Sequence, residues 1–119
     1  MQETEQVLQG DIYLVDFGES EGHTARKKRP AVVIQYNLAN RLSQTVIITV
    51  VRSNEKVGQL PVGVKLEPGL TGLDHISYVD LGHIYTVDKK TLLQKIGIVP
   101  KAELQKIDEA IKISLGLRS

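Results

Sequence analysis

The side chains of this sequence with the means to do chemistry are concentrated in one third of it. Between Gly22 and Val57 stand Arg26, Lys27, Lys28, Arg29, Arg41, Arg52 and Lys56, with Glu55 as the sole acid. That segment carries +6, which the rest of the chain balances with −5 to a net +1. A basic third inside a near-neutral protein can form a face that binds a polyanion; the bland alternative is a solvated basic loop. Three histidines, His23, His75 and His83, add groups that can carry a proton either way near neutral pH. They are scattered, without the spacing of metal ligands, so no metal site is expected. The chain has no cysteine, which excludes disulfides, thiolate metal sites and cysteine nucleophiles. It also lacks a Gly-rich phosphate loop with its lysine, a His-Glu-x-x-His zinc helix and a G-x-S-x-G elbow. No cofactor is expected.

These groups must be positioned by a small scaffold. With 119 residues, 41% apolar and 24% charged, the sequence fits one soluble globular domain over residues 1–119, without linker or repeat. Gln9–Phe17 reads as an edge or barrel strand, with Ile12 and Leu14 on one face and Tyr13 and Val15 on the other. Gly18–Lys28, with no apolar period, predicts a long exposed loop. Pro30 then opens a strand over Ala31–Gln35. The polar stretch Tyr36–Gln44 leads into Thr45–Val51, a β-branched run suited to the centre of a sheet. Asn54–Gln59 predicts a loop and Val62–Leu66 a strand. Ile76–Leu81 and Ile84–Val87 predict strands broken at a bulge near Gly82. Asp88–Leu92 suits a single helical turn, and Leu93–Ile98 a last short strand.

From Lys101 to Leu115 the period becomes helical, with Leu104, Ile107, Ile111 and Leu115 as an apolar stripe. Pro100 stands at its start and Gly116 at its end, and Asp108 is placed to pair with Lys112. Six or so strands and one terminal helix predict a mainly β fold: a small, curved antiparallel sheet or SH3-like barrel with the helix packed on its open side. The amino-terminal residues lack the charge and apolar pattern of a signal segment, and no apolar run is long enough to span a membrane. A cytoplasmic protein without membrane association is therefore the expectation.

Several short motifs stand out along the chain: Gly10-Asp11-Ile12-Tyr13-Leu14-Val15-Asp16, Gly22-His23, Lys28-Arg29-Pro30-Ala31-Val32-Val33-Ile34, and Asn37 with Asn40-Arg41. In the second half come Ser77-Tyr78-Val79, Thr86-Val87-Asp88-Lys89-Lys90 and Asp108 to Leu115. In this order, over about residues 9–117, they resemble the MazF/PemK (Kid) toxin family. The resemblance implies a homodimeric SH3-like barrel of the MazF/CcdB-like kind, metal-independent and sequence-selective cleavage of single-stranded RNA, and neutralisation by a cognate MazE-like antitoxin.

Metal-free RNA cleavage uses the ribose 2′-OH as internal nucleophile. It needs a base for that proton, a cation for the charge that builds on phosphorus, and an acid for the 5′ leaving oxygen. Arg29 matches the arginine of the family's Arg-Pro motif, and its guanidinium can fork two donors onto phosphate oxygens. His23 matches the Gly-His pair of the PemK branch, to which the resemblance gives a catalytic role. Ser53 follows a position where relatives carry threonine and this chain carries Arg52; its hydroxyl is the remaining candidate there. Arg26, Lys27, Lys28, Arg52, Lys56 and His83 are expected to bind RNA.

This sequence departs from the family's pattern at Arg52, Gly82 and Tyr85. The PemK-type catalytic aspartate would fall on Gly82 and its nearby arginine on Asp80. Asp80 and His83 could form an alternative acid–base pair or no more than a surface hydrogen bond. Thr49, three residues before Arg52, should face the opposite way and is a poor substitute for the missing threonine. These departures keep a second reading open, a non-catalytic binder in the manner of the related CcdB toxins that act on DNA gyrase.

Overall fold

The computed structural model describes residues 6–19 and 26–118, apart from the side chains of Glu19 and Arg26. The strands are β1 (Asp11–Glu19), β2 (Arg26–Val33), β3 (Thr45–Arg52), β4 (Gly63–Leu66), β5 (Ser77–Asp88) and β6 (Leu92–Ile98). Helix α1 (Asn37–Leu42) lies between β2 and β3, helix α2 (Lys101–Leu115) follows β6, and 3₁₀ turns occupy Glu55–Gln59 and Lys89–Thr91. The strands form one antiparallel sheet in the order β4-β5-β3-β2-β1-β6.

The sheet buries apolar side chains on both faces, which explains why β3 reads as an unbroken β-branched run rather than an alternation. On one face Ile12, Val32, Val51, Val79 and Leu81 pack with Leu66, Val99, Ile107 and Ala110 beneath α2. On the other face Tyr13, Val15, Ala31, Val33, Val46 and Ile48 form a second cluster, rimmed by half-buried Phe17, Val87 and Leu92. β1 lies between β2 and β6, so it is an inner strand and not an edge.

The sheet does not close through a β4–β6 ladder; the segment after β4 bridges the gap. The Ile98 amide donates to the Leu70 carbonyl at 2.9 Å. A Cβ at Gly97 would lie 2.2 Å from the Thr71 backbone, and one at Gly72 (φ +72°) 1.8 Å from the Ile96 carbonyl oxygen. Glycine at these two positions is what lets the strap seat against β6. The result is barrel-like without a closed ladder.

Helix α2 spans the predicted residues, with Pro100 at its N-cap and Gly116 at its C-cap. Ile107 and Ala110 are buried, and Leu104 and Ile111 pack against the same core. Leu115 is instead 58% exposed, because the stripe drifts off the sheet in the last turn. Lys112 pairs with Glu109 at 3.3 Å and not with Asp108, a surface contact of little energetic weight. The Ser114 hydroxyl donates to the Leu81 carbonyl at 2.7 Å and ties the end of the helix to β5.

Two further expectations are corrected. The segment Gly18–Lys28, expected as a loop, is strand at both ends, since β1 runs on to Glu19 and β2 begins at Arg26, with Asp16 opposite Lys28 in the ladder. The polar stretch after Tyr36 holds α1. Its Asn40 is buried, donating to the Gln35 carbonyl at 2.8 Å and accepting from the Gln35 side chain at 3.0 Å. Buried amides persist where such partners satisfy them.

Candidate functional site

The basic residues are placed by the point at which β2 leaves β3. The β2–β3 ladder pairs Ala31 with Val50, Val32 with Thr49 and Val33 with Ile48, and extends no further toward Arg29. From Pro30 back to Arg26 the strand is paired with β1 alone, Leu14 facing Pro30 and Val15 facing Arg29. Proline fits where a ladder ends, having no N–H to offer a partner.

The separation opens a cleft of about 440 Å³ beside the end of β3. Buried Val51 and Leu73, with half-buried Leu14, Pro30 and Ile96, form its apolar lining. Arg29, Arg52, Ser53, Asp74, His75 and Ser77 supply the polar side. Two arginines and two serines thus come from segments distant in sequence to one concavity. His75, which precedes β5, joins them. Sequence reasoning set it aside with the scattered histidines; the signal it offered was its place at the end of a turn-rich segment, directly before a strand.

A second cluster adjoins the cleft through Arg52. The Arg52 Nε–H donates to Asp80 Oδ2 at 2.9 Å, and His83 Nδ1 lies 2.8 Å from the same oxygen. Asp80 Oδ1 accepts the Gly82 amide at 3.0 Å. The carboxylate is 8% exposed and the imidazole 53%, so a buried acid holds an accessible ring. Burial alone would push the Asp80 carboxyl up. The Arg52 hydrogen bond, the Gly82 amide and the His83 ring outweigh it and hold the group below its ordinary value of 3.8.

The bulge expected near Gly82 makes this possible. Thr49 pairs with Ile84 but Val50 pairs with Asp80, so three residues of β5 loop out opposite a single step of β3. The buried Thr49 hydroxyl donates toward the carbonyls of Asp80 (2.6 Å) and His83 (3.2 Å), pinning both sides of the bulge. A Cβ at Gly82 would lie 3.2 Å from Asp80 Oδ1 and 3.6 Å from a Val62 methyl, so the folded-back carboxylate occupies the space beside that glycine. Of the departures from the family's pattern, Arg52 and Gly82 therefore meet in one cluster with Asp80 and His83, and Tyr85 stands outside it.

Of the residues singled out in the sequence, Arg29, Arg52 and Ser53 share the cleft, and His83 is joined to Arg52 through Asp80. Lys27 and Lys28 are exposed on β2, and Lys56 is exposed on the 3₁₀ turn; none of the three lines the cleft. Arg26 opens β2. His23 lies outside the described residues. Among the described residues no group of three or more His, Asp or Glu could hold a metal ion, and no helix is long and apolar enough to cross a membrane.

Comparison with known proteins agrees with this architecture. An endoribonuclease MazF of Staphylococcus epidermidis is 33% identical over 113 residues, covering 95% of this chain and 94% of the relative. A mycobacterial endoribonuclease solved in complex with its cognate antitoxin superposes with a TM-score of 0.79. It is 26% identical, and the match covers 95% of this chain and 98% of that one. A MazE–MazF structure from Deinococcus radiodurans, 21% identical, shares the fold at a TM-score of 0.80 over 97% of this chain and all of that one. The model of the PemK-like, MazF-like toxins of type II toxin–antitoxin systems matches residues 8–115, and the chain belongs to that family.

Proposed function

We propose that this toxin is a metal-independent endoribonuclease that cleaves single-stranded RNA by attack of the ribose 2′-OH on the adjacent phosphodiester. The observation that carries the reading is the convergence of Arg29, Arg52 and Ser53 on one cleft. Preorganised cations aimed at a phosphate stabilise the charge that develops as the 2′ oxygen attacks, and they do so without rearranging at the moment of reaction. Arg29 is exposed and makes no ion pair with any described residue, which leaves its guanidinium to the substrate. Ser53 supplies a hydroxyl donor to the phosphate. Lys27, Lys28 and Lys56 extend the positive surface along the RNA backbone.

The partners follow from the same surface. An acidic antitoxin segment laid along the cleft would neutralise Arg29 and Arg52 and exclude RNA; the antitoxin complex of the mycobacterial relative supports a partner of this kind. A homodimer is supported by the sheet face that α2 does not cover, where Phe17 packs edge-on against Tyr85, itself 39% exposed. Light scattering of the purified protein gives twice the chain mass if this holds and the single-chain mass if it does not.

The test is incubation of a long single-stranded RNA with the protein in excess EDTA, with ends mapped by primer extension. Discrete cuts by the wild type that Arg29→Ala does not make support the reading. Intact RNA after incubation with folded wild type would turn it toward a CcdB-like binder. Binding to an uncleavable RNA should also weaken steeply with salt, because each phosphate contact releases counterions.

A further inference from the structure

His83 presents an accessible imidazole whose orientation the fold fixes. One ring nitrogen, Nδ1, lies 2.8 Å from Asp80 Oδ2. A carboxylate can only accept there, so Nδ1 carries the hydrogen and Nε2 keeps its lone pair directed away from Asp80. The orienting acid is itself held in place: Arg52 Nε and the Gly82 amide donate to its carboxylate, and the Thr49 hydroxyl bonds its backbone carbonyl and that of His83. A surface hydrogen bond formed by chance would not have its acceptor buried and fixed from three directions. The same carboxylate that holds the ring also holds Arg52, a residue of the cleft. The charged groups in contact with the pair are Arg52 from β3 and Asp80 itself from β5. Glu55 and Lys56, on the 3₁₀ turn packed against β5, are exposed to solvent.

We infer that His83 is the general base of the cleavage reaction and Asp80 its positioning residue, with the imidazole Nε2 taking the proton of the 2′-OH beside a phosphate held by Arg52 and Arg29. This rests on the endoribonuclease reading and assigns the base within it. The O2′–H bond breaks with its proton passing to Nε2, and the O2′ electron pair forms the new bond to phosphorus. The P–O5′ bond breaks, and the departing 5′ oxygen keeps its electron pair and takes a proton from solvent. The products are a 2′,3′-cyclic phosphate and a 5′-hydroxyl end. Arg52 thereby has two partners, the substrate phosphate through its outer nitrogens and Asp80 through Nε, which couples phosphate binding to placement of the base.

The experiment is single-turnover cleavage of one RNA by the full-length wild type, His83→Gln, His83→Ala and Asp80→Asn across about pH 5 to 9, the range in which an imidazole changes charge. Thermal melts establish that each variant is folded. His83→Gln, altered at an exposed ring, is expected to slow kcat by about 100-fold or more with KM little changed. It should also remove the acidic limb of the rate profile. Added imidazole should restore part of the rate of His83→Ala. Asp80→Asn should give a smaller loss and move the acidic limb.

A His83→Gln protein that cleaves at the wild-type rate with the wild-type pH profile would overturn the assignment while leaving the nuclease reading intact. So would a loss with an unchanged profile and no imidazole rescue, which would mark a structural role. Folded wild type that does not cleave would remove the nuclease reading and this inference with it.

Discussion

Neighbouring residues of β5 are held on opposite principles. At Val79 and Leu81 the strand lies under α2 in a dry aliphatic core with Leu66, Val99 and Ile107, where non-directional burial fixes the position of the helix. At Asp80 and His83, beside the bulge of the same strand, directed bonds do the holding: the Asp80 carboxylate is bound to Arg52, the Gly82 amide and the His83 ring, and the Thr49 hydroxyl bonds the backbone carbonyls of both residues. The first region tolerates any side chain of similar size and apolarity; the second tolerates almost no change of chemistry. The lesson is a division of labour within a dozen residues: burial holds the strand, and the strand holds the charges.

Substitutions should separate the two regions. Ile107→Ala, at a fully buried site beneath the sheet, should cost about 2–5 kcal/mol in urea unfolding while cleavage per folded molecule stays near wild type. Arg29→Ala should do the reverse, lowering kcat by about 10²–10³-fold with little change in the unfolding midpoint. Comparable losses of both properties in either variant would break the contrast.

Thr49→Val probes the border between the regions. It keeps the shape of a buried residue but leaves two bulge carbonyls without their donor, at a cost of about 1–3 kcal/mol. Because the bulge carries Asp80 and His83, cleavage should fall as well, beyond what the lost folded fraction explains.

The smallest expected effect is a pH dependence of stability. The folded Asp80 carboxyl titrates below 3.8, so its contribution is complete above that pH and is lost as pH falls through the lower folded value. Asp80→Asn should therefore flatten the acid end of the stability curve, as urea midpoints at a series of pH values would report.

What the sequence made legible follows the same division. Helix α2 could be read because burial imposes a period, and Gly116 marks its end; β3 could be read from its β-branched run. Helix α1 could not, since six residues make fewer than two turns and it is anchored by the Gln35–Asn40 amide exchange, a contact that composition does not announce. The ends of the β1–β2 hairpin were hidden for a related reason: polar Asp16, Lys28 and Arg29 continue the ladder where no apolar alternation reports it.

In the site, Arg29 was legible beside its proline, and the bulge beside its glycine. The convergence of Arg52, Asp80 and His83 was not, because it depends on a register shift between β3 and β5. The sequence leaves the Asp80 side chain open between an acid–base pair with His83 and a surface hydrogen bond. Only the shift brings it under Arg52. His75 reaches the cleft through the strap that seats on β6, a tertiary contact allowed by Gly72 and Gly97.

The most direct measurement uses two RNAs of identical sequence containing a mapped cleavage site, one with ribose and one with 2′-deoxyribose at the nucleotide on the 5′ side of the scissile phosphate. Both are incubated with the protein in excess EDTA. Attack by the 2′-OH within this cleft predicts that the ribose strand is cut to a 2′,3′-cyclic phosphate end and that the deoxy strand stays intact. Cleavage of both strands at the same rate would contradict it.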